Sequence, residues 1–370
     1  MSENKNISTQ SKPRVIISGG GTGGHVFPAI AIADAIKVLR PNAEILFVGA
    51  KGKIEMEKVP EAGYKIEGLT IAGIQRKLTT KNLSFPFKLF KSLGRCRSIL
   101  KSFKPDMAIG VGGYASGPLL FMAGNTGVPV FIQEQNSYPG ITNRILSRYA
   151  KKIFVAYEGM GKLLPKENIV LSGNPVRKDI AQVKDQGESR QAFGLEPDKT
   201  TLLIVGGSQG ARSINKAIEA GLDELITNNV QVIWQTGKGY QSAHASDKKG
   251  CSRNEFIRNM AEAYSAADVV LARSGASTVS ELGVVGKPAI FVPFPHAAED
   301  HQTSNAKAMV DKEAALLIKD NDAGKELIKT ALALLNDKNK RTAMAAQMKK
   351  LGIENAADRI ARETLEIIGK

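Results

Sequence analysis

The sequence predicts an α/β protein made of two doubly wound parallel sheets. Three observations lead there. Apolar runs of strand length alternate with longer helical patterns along the chain, which is the pattern of a parallel sheet wrapped by helices. An apolar strand, a glycine loop and a helix occur in that order twice, at 15–39 and again at 202–225. The length of 370 residues suits two hydrophobic cores better than one.

Taken in order, strands are expected at 15–17, 44–48, 107–111, 130–132, 153–156 and 169–171. The turn Ser172-Gly173-Asn174-Pro175 follows, with the linker near 172–176, and the charged segment 177–196 reads as a connection to a new start. Further strands are expected at 202–205, 230–234, 268–272 and 289–292. The domains would span 14–174 and 175–355, after a polar extension at 1–13. An amphipathic helix at 356–368 could cap the second domain or return to the first. Ligands of such sheets bind beyond the carboxyl ends of the strands, so two sheets facing each other would hold a substrate between them.

The bulk composition narrows the function classes. With 42% hydrophobic and 24% charged residues, the chain is an ordinary globular protein. Cys96 and Cys251 stand far apart and match no metal or disulfide pattern, so a reducing compartment is expected. A net charge of +15 and a pI near 9.6 call for an anionic partner: nucleic acid, a membrane surface or a phosphorylated substrate. The first twelve residues are polar and lack the apolar core of a secretion signal. The segment 107–133 carries no charge, but Gly110, Gly112, Gly113, Gly117, Pro118, Gly124, Gly127 and Pro129 break it up. Strands, a glycine turn and a short helix are expected there, not a membrane span.

The first loop is Ser18-Gly19-Gly20-Gly21-Thr22-Gly23-Gly24-His25-Val26-Phe27-Pro28. Its glycines let backbone approach a ligand, and the helix that follows offers unpaired N–H groups to an anion. Gly19, Gly21 and Gly24 match a dinucleotide fingerprint, but the second strand ends Val48-Gly49-Ala50-Lys51, without the ribose-binding acid. A Walker-type loop fails too, because His25-Val26 stands where Lys-Ser/Thr is required. His25 is the one acid–base side chain of the loop. A helix N-terminus disfavours imidazolium and so suits a general base, although a solvated helix-start histidine fits the same position.

The second domain offers Arg273-Ser274-Gly275-Ala276-Ser277-Thr278-Val279-Ser280-Glu281 between a strand and a helix. Ser277 and Thr278 could meet a ligand or act as N-caps, and Glu281 could accept from two ribose hydroxyls or complement the helix dipole. His296, Glu299, Asp300 and His301 match no standard metal spacing. Asp320-Asn321-Asp322 resembles the carboxylate pair of metal-dependent sugar transferases, but N-capping of the helix from Ala323 accounts for it. Between 76 and 104 there are nine Lys/Arg and no Asp or Glu, with Phe85, Phe87, Leu89, Phe90 and Leu93 interleaved. Such a surface suits anionic lipid headgroups; a core-facing helix with a solvated basic face is the alternative. No nucleic-acid-binding module accompanies the charge.

One family shares these stretches in this order. Gly20 to Pro28, Gly112-Gly113-Tyr114-Ala115-Ser116-Gly117-Pro118, Glu134-Gln135-Asn136 and Gly173-Asn174-Pro175-Val176-Arg177 resemble first-domain and hinge motifs of the MurG family of peptidoglycan N-acetylglucosaminyltransferases. Gly206-Gly207-Ser208-Gln209-Gly210-Ala211, Arg273 to Ala276, Thr278 to Glu281 and His301-Gln302 resemble its second-domain motifs. The resemblance runs from about Arg14 to the C-terminus. It implies a GT-B fold, two Rossmann-like domains facing across a cleft, with the last helix crossing back to the first. The implied reaction is an inverting transfer of N-acetylglucosamine from UDP-N-acetylglucosamine to the C4 hydroxyl of the muramoyl sugar of undecaprenyl-diphosphate-linked lipid I, giving lipid II. No cofactor, metal or nucleic acid is implied, and the enzyme would sit peripherally on the cytoplasmic face of the plasma (inner) membrane.

By the same resemblance, His25 is the catalytic base. Thr22, Gly23, Gly24, Asn136, Arg177, Ser208, Ile257, Ala276, Ser277, Thr278, Val279, Ser280, Glu281 and Gln302 contact the donor. Gly112, Gly113 and Tyr114 hold the acceptor's diphosphate. The membrane patch matches in character, with Ile74, Phe85, Phe87, Phe90, Lys88 and Lys91 as its contacts, while 295–300 departs from the family pattern. Three rival readings are a sugar-nucleotide 2-epimerase on the same fold, a basic RNA- or membrane-binding module, and a NAD-linked oxidoreductase lacking its ribose acid.

Overall fold

Among the described residues, every strand pairs in parallel with its neighbours, in two sheets of seven and six strands. The computed structural model describes residues 12–71, 85–182, 184–207, 209–240 and 248–370, excluding the side chains of 85 and 86. The chain divides into one unit of Met1–Val176 with Asn355–Lys370 and a second of Arg177–Glu354.

The first unit runs β1 (Arg14–Ser18), α1 (Gly23–Leu39), β2 (Glu44–Ala50), α2 (Glu55–Glu61), β3 (Lys65–Leu69), α3 (Phe85–Phe103) and β4 (Met107–Gly110). It continues with α4 (Ser116–Asn125), β5 (Val130–Glu134), α5 (Ile141–Leu146), β6 (Ala150–Val155) and β7 (Ile169–Leu171). The uncharged stretch 107–133 is thus two strands around a ten-residue helix. Among the described residues, no helix is long and apolar enough to cross a membrane. Sheet order is β3-β2-β1-β4-β5-β6-β7, so the winding direction reverses between β1 and β4. Val15, Ile17, Phe47, Met107, Ile109 and Phe131 point to a core shared with α1. Ile16, Val48, Ala108, Val130 and Ile132 point to the core on the other face, because side chains alternate along a strand.

The second unit holds α6 (Gln186–Ala192), β8 (Thr201–Val205), α7 (Arg212–Thr227), β9 (Gln231–Gln235), β10 (Cys251–Asn254), α8 (Met260–Ala266) and β11 (Val269–Ala272). After these come α9 (Ala276–Val285), β12 (Ala289–Phe291), α10 (His301–Val310), β13 (Ala315–Leu317), α11 (Ala323–Asn336) and α12 (Lys338–Leu351). Its order, β10-β9-β8-β11-β12-β13, reverses between β8 and β11. The segment 177–196, read as a connection, contains α6, which packs on α8, with Arg190 donating to the Ala266 carbonyl at 3.0 Å and pairing with Asp268, just before β11, at 2.8 Å. Finally, α13 (Ala356–Ile367) lies on α1, burying Ala357, Ile360, Ala361 and Leu365 in the core of the first unit.

The two halves of α3 differ in burial. Its second half turns Cys96, Ile99 and Leu100 to the core, while near its start Phe87 and Phe90 stand 80% and 74% exposed beside Lys88 and Lys91. Ile74 and the Phe85 side chain lie outside the described residues.

Candidate active site

Register brings the two glycine loops of the first unit together. Ser18 pairs with Gly110, so the chain leaving β1 and the chain leaving β4 run side by side at the winding reversal, where ligands of such sheets bind. The Gly20 N–H donates to the Gly112 carbonyl at 3.3 Å. Gly113 has φ +90°, and a Cβ there would lie 2.3 Å from the Gly20 carbonyl oxygen. Only glycine fits both that conformation and that approach. Gly113→Ala is therefore expected to cost about 2–4 kcal/mol, combining backbone strain and overlap. A thermal melt checks it, with Gly117→Ala, whose new Cβ meets only Thr142 at 3.5 Å, leaving the midpoint near wild type.

The loop amides divide into two sets. Those of Gly20 and Gly21 point inward, the second to the Glu55 carboxylate at 2.8 Å, whose other oxygen accepts from Ala50 N–H at 2.9 Å. Glu55 is fully buried and pins the loop from behind. The amides of Thr22, Gly23 and Gly24 meet no acceptor among the described residues, so the anion-binding end of the loop is this trio.

His25 sits in the first turn of α1, its ring against Gly112, where an added Cβ would lie 2.8 Å from the imidazole. Its Nδ1 is 3.0 Å from Gln135 Oε1. Gln135 Nε2 donates to the Val111 carbonyl at 2.7 Å and to Gln133 Oε1. Gln133 donates in turn to Asn174 Oδ1 at 2.8 Å, and Asn174 Nδ2 to the Gln135 carbonyl at 2.9 Å. Next to this network, the buried Glu134 carboxylate shapes the loop after β5. It accepts from Asn136 N–H and Nδ2 at 3.0 and 3.2 Å, Gly140 N–H at 3.0 Å and Asn143 Nδ2 at 2.8 Å. Thr22 to His25, Gly112 to Tyr114 and Asn136 therefore share one edge of the first sheet, with Tyr114 half exposed.

The second unit repeats the design at its own reversal, where Val205 pairs with Ala272. Ser208 lies outside the described residues, between Gly207 and the start of α7 at Arg212. After β11, Gly275 is the N-cap of α9, and the Ala276, Ser277 and Thr278 amides have no acceptor among the described residues. Ser277 and Thr278 are thus not N-caps, contrary to one expectation; they lie in the first turn itself. Glu281 lies beyond that turn and does not complement its dipole. Its Oε2 accepts from the buried Tyr264 hydroxyl at 2.7 Å. Burial raises the Glu281 carboxyl above its ordinary pKa, opposed by the Tyr264 bond and the nearby Arg177 guanidinium.

Three further contacts order this edge. Gln235 bridges two loops, accepting from Ile257 N–H at 2.9 Å and donating to the Gly207 carbonyl at 3.1 Å. Gln302 accepts from Phe294 N–H at 2.9 Å through Oε1, which turns its NH₂ the other way, and its carbonyl takes the Ser274 hydroxyl at 2.8 Å. Arg273 ties four segments: it donates to the Val292 and Pro293 carbonyls, to Ser213 Oγ at 3.1 Å and to Asp320. Asp320 also accepts from Ser213, so this carboxylate is an ion-pair partner, and Asp322 at the start of α11 makes no side-chain capping bond. N-capping does not explain Asp320-Asn321-Asp322. His301 Nδ1 contacts the Ala298 carbonyl, His296 stacks edge-on to Phe294, and no cluster of three or more potential metal ligands forms among the described residues.

Comparison with known proteins agrees with this architecture. Residues 15–155 match the glycosyltransferase family 28 N-terminal domain, and 201–360 match the glycosyltransferase family 28 C-terminal domain. A Parabacteroides distasonis protein named UDP-N-acetylglucosamine--N-acetylmuramyl-(pentapeptide) pyrophosphoryl-undecaprenol N-acetylglucosamine transferase is 51% identical over 97% of this chain and 99% of its own. The chain belongs to the MurG family, within glycosyltransferase family 28. The crystal structure of Acinetobacter baumannii MurG superposes with a TM-score of 0.76 at 29% identity, covering 96% of this chain and 99% of that one. A Listeria monocytogenes structure described as a UDP-N-acetylglucosamine 2-epimerase reaches a TM-score of 0.68 at 13% identity, over 96% and 97% of the two chains. That second likeness shows the fold alone; it is the sequence that separates a MurG-family chain from the epimerases.

Proposed function

We propose that this MurG-family chain transfers N-acetylglucosamine from UDP-N-acetylglucosamine to the C4 hydroxyl of the muramoyl sugar in lipid I, with inversion, giving lipid II. The observation that carries this reading is the 51% identity, over nearly the full length of both chains, to a protein named for that transfer. The nucleotide belongs with the second unit. Glu281 accepts the ribose hydroxyls, and Ile257, Gln302 and Asn136 contact the donor. The amides of 276–278, the loop around Ser208 and Arg177 stabilise the charge of the departing diphosphate. Val279 supports them from the core side of α9, where it is buried.

In the transfer, the acceptor hydroxyl gives its proton to His25 as its oxygen bonds to C1 from the face opposite the nucleotide. The C1–O bond to the diphosphate breaks, and UDP leaves with the electron pair. The free amides of Thr22, Gly23 and Gly24, with Gly112, Gly113 and Tyr114, serve the sugars and the acceptor's diphosphate. UDP release should require a lipid I analogue. Release, or epimerisation of the sugar, without any acceptor would point to the epimerase reading instead.

The chain works at the cytoplasmic face of the membrane, with Phe87 and Phe90 entering the interface between Lys88 and Lys91. Vesicles containing phosphatidylglycerol should sediment the wild type at low salt, and much less of a Phe87→Ser/Phe90→Ser double variant. Equal sedimentation of the two would remove this patch from the account.

A further inference from the structure

We infer that Gln135 is a positioning residue that fixes the tautomer of His25, placing the hydrogen on Nδ1 and the lone pair on Nε2. The inference deepens the reading of His25 as general base and rests on it.

A neutral imidazole can carry its hydrogen on either nitrogen, and only the bare one can take a proton. Which it is depends on what the other nitrogen faces. Here Nδ1 faces Gln135 at 3.0 Å, and an amide offers either its oxygen or its NH₂. The direction of that amide is not free. On one side, Gln135 Nε2 sits 2.7 Å from the Val111 carbonyl, which can only accept. Turning the amide over would set two acceptor oxygens against each other in a buried site, leaving both without a donor, which costs about 1–3 kcal/mol per group.

A second backbone carbonyl gives the same direction independently. The Gln135 carbonyl accepts from Asn174 at 2.9 Å, so the near atom of Asn174 is its NH₂ and Asn174 Oδ1 faces away. Oδ1 then requires the Gln133 NH₂, which lies at 2.8 Å. That leaves Gln133 Oε1 directed at Gln135 Nε2, the pairing observed. Gln133, Gln135 and Asn174 are each at most 3% exposed, so no bulk water can substitute for these partners. Two fixed carbonyls thus orient three amides, and the last presents its oxygen to His25. Nδ1 must donate, and Nε2 is the basic atom. An amide does this without a formal charge, so it selects the tautomer without the added basicity that a carboxylate partner would confer.

The test is nitrogen NMR on the full chain labelled with ¹⁵N-histidine. There are four histidines, and a His25→Asn variant assigns the signals of residue 25. At a pH where the ring is neutral, His25 should show a protonated Nδ1 and a bare Nε2. The tautomer is read on the wild-type chain, and a proton on Nε2 overturns the inference. In Gln135→Leu the Nε2–H form should appear, and kcat should fall at least about tenfold, a part of the ~10²–10⁴-fold contribution of a general base, with KM for UDP-N-acetylglucosamine within about twofold. Gln133→Leu perturbs the same buried site but leaves Gln135 on the Val111 carbonyl, so it should keep Nδ1 protonated. Retention of both tautomer and kcat in Gln135→Leu overturns the inference. Full activity of His25→Ala, measured beside it, would instead remove the base assignment.

Discussion

Replacing His25 by alanine is expected to lower kcat by about 10²–10⁴-fold, the usual contribution of a positioned general base. The KM for UDP-N-acetylglucosamine should change little, because the donor's nucleotide is assigned to the second unit. The expectation rests on placement. The imidazole is held at the start of α1 against Gly112 and oriented by Gln135, and it is the acid–base side chain of the first glycine loop. Glu55 and Glu134 lie close by, but their oxygens are occupied by backbone and side-chain donors, which suits structure more than proton transfer. Steady-state kinetics with a lipid I analogue check it. A turnover within about threefold of wild type, below the range for a base, would exclude the assignment.

Glu281→Ala is the second large effect, and it should fall on KM. Two hydrogen bonds to a carboxylate at about 1.5–3 kcal/mol each predict a rise in donor KM of about 10²-fold or more, with kcat largely kept. The Tyr264 hydroxyl engages Oε2 and fixes the carboxylate, so Tyr264→Phe should give a smaller change of the same kind. Burial raises the Glu281 pKa, so its carboxyl takes up a proton at higher pH than an exposed glutamate would. The protonated form is the poorer acceptor, so donor KM should rise as pH falls. Glu281→Gln should lose that dependence. Fluorescence or calorimetric titration with UDP across pH checks both, and an unaltered affinity in Glu281→Ala would move the ribose elsewhere.

Much of the fold is legible in the chain because its buried strands are short, charge-free and bounded by glycine. The apolar runs near 15–17, 107–111, 202–205 and 268–272 all become central strands. The strands that escape notice are β3, β10 and β13, all three at sheet edges. β3 carries Lys65 and Glu67, and β10 reads Cys-Ser-Arg-Asn, so neither shows the apolar run of a buried strand. β13 has only three residues.

The site is legible where chemistry is local. Glycine loops, helix starts and His25 are visible from neighbouring residues. What escapes is the support behind them. Glu55 reaches Gly21 across 34 positions, Gln135 reaches His25 across 110, and Arg273 reaches Asp320 across 47. Nothing near Glu55 in the chain distinguishes it from other surface glutamates; its role exists only once β1 and β2 are paired. For the same reason Ser277, Thr278 and Asp320 resemble capping residues in sequence and take other roles in the fold.

The central claim is tested most directly by incubating the chain with UDP-N-acetylglucosamine, radiolabelled in the sugar, and a short-chain lipid I analogue. The account predicts that label moves into the lipid product, one sugar for each UDP released, and that none moves in the His25→Ala protein on the same timescale. Label that stays in the nucleotide pool, as the unchanged donor or its 2-epimer, would contradict it.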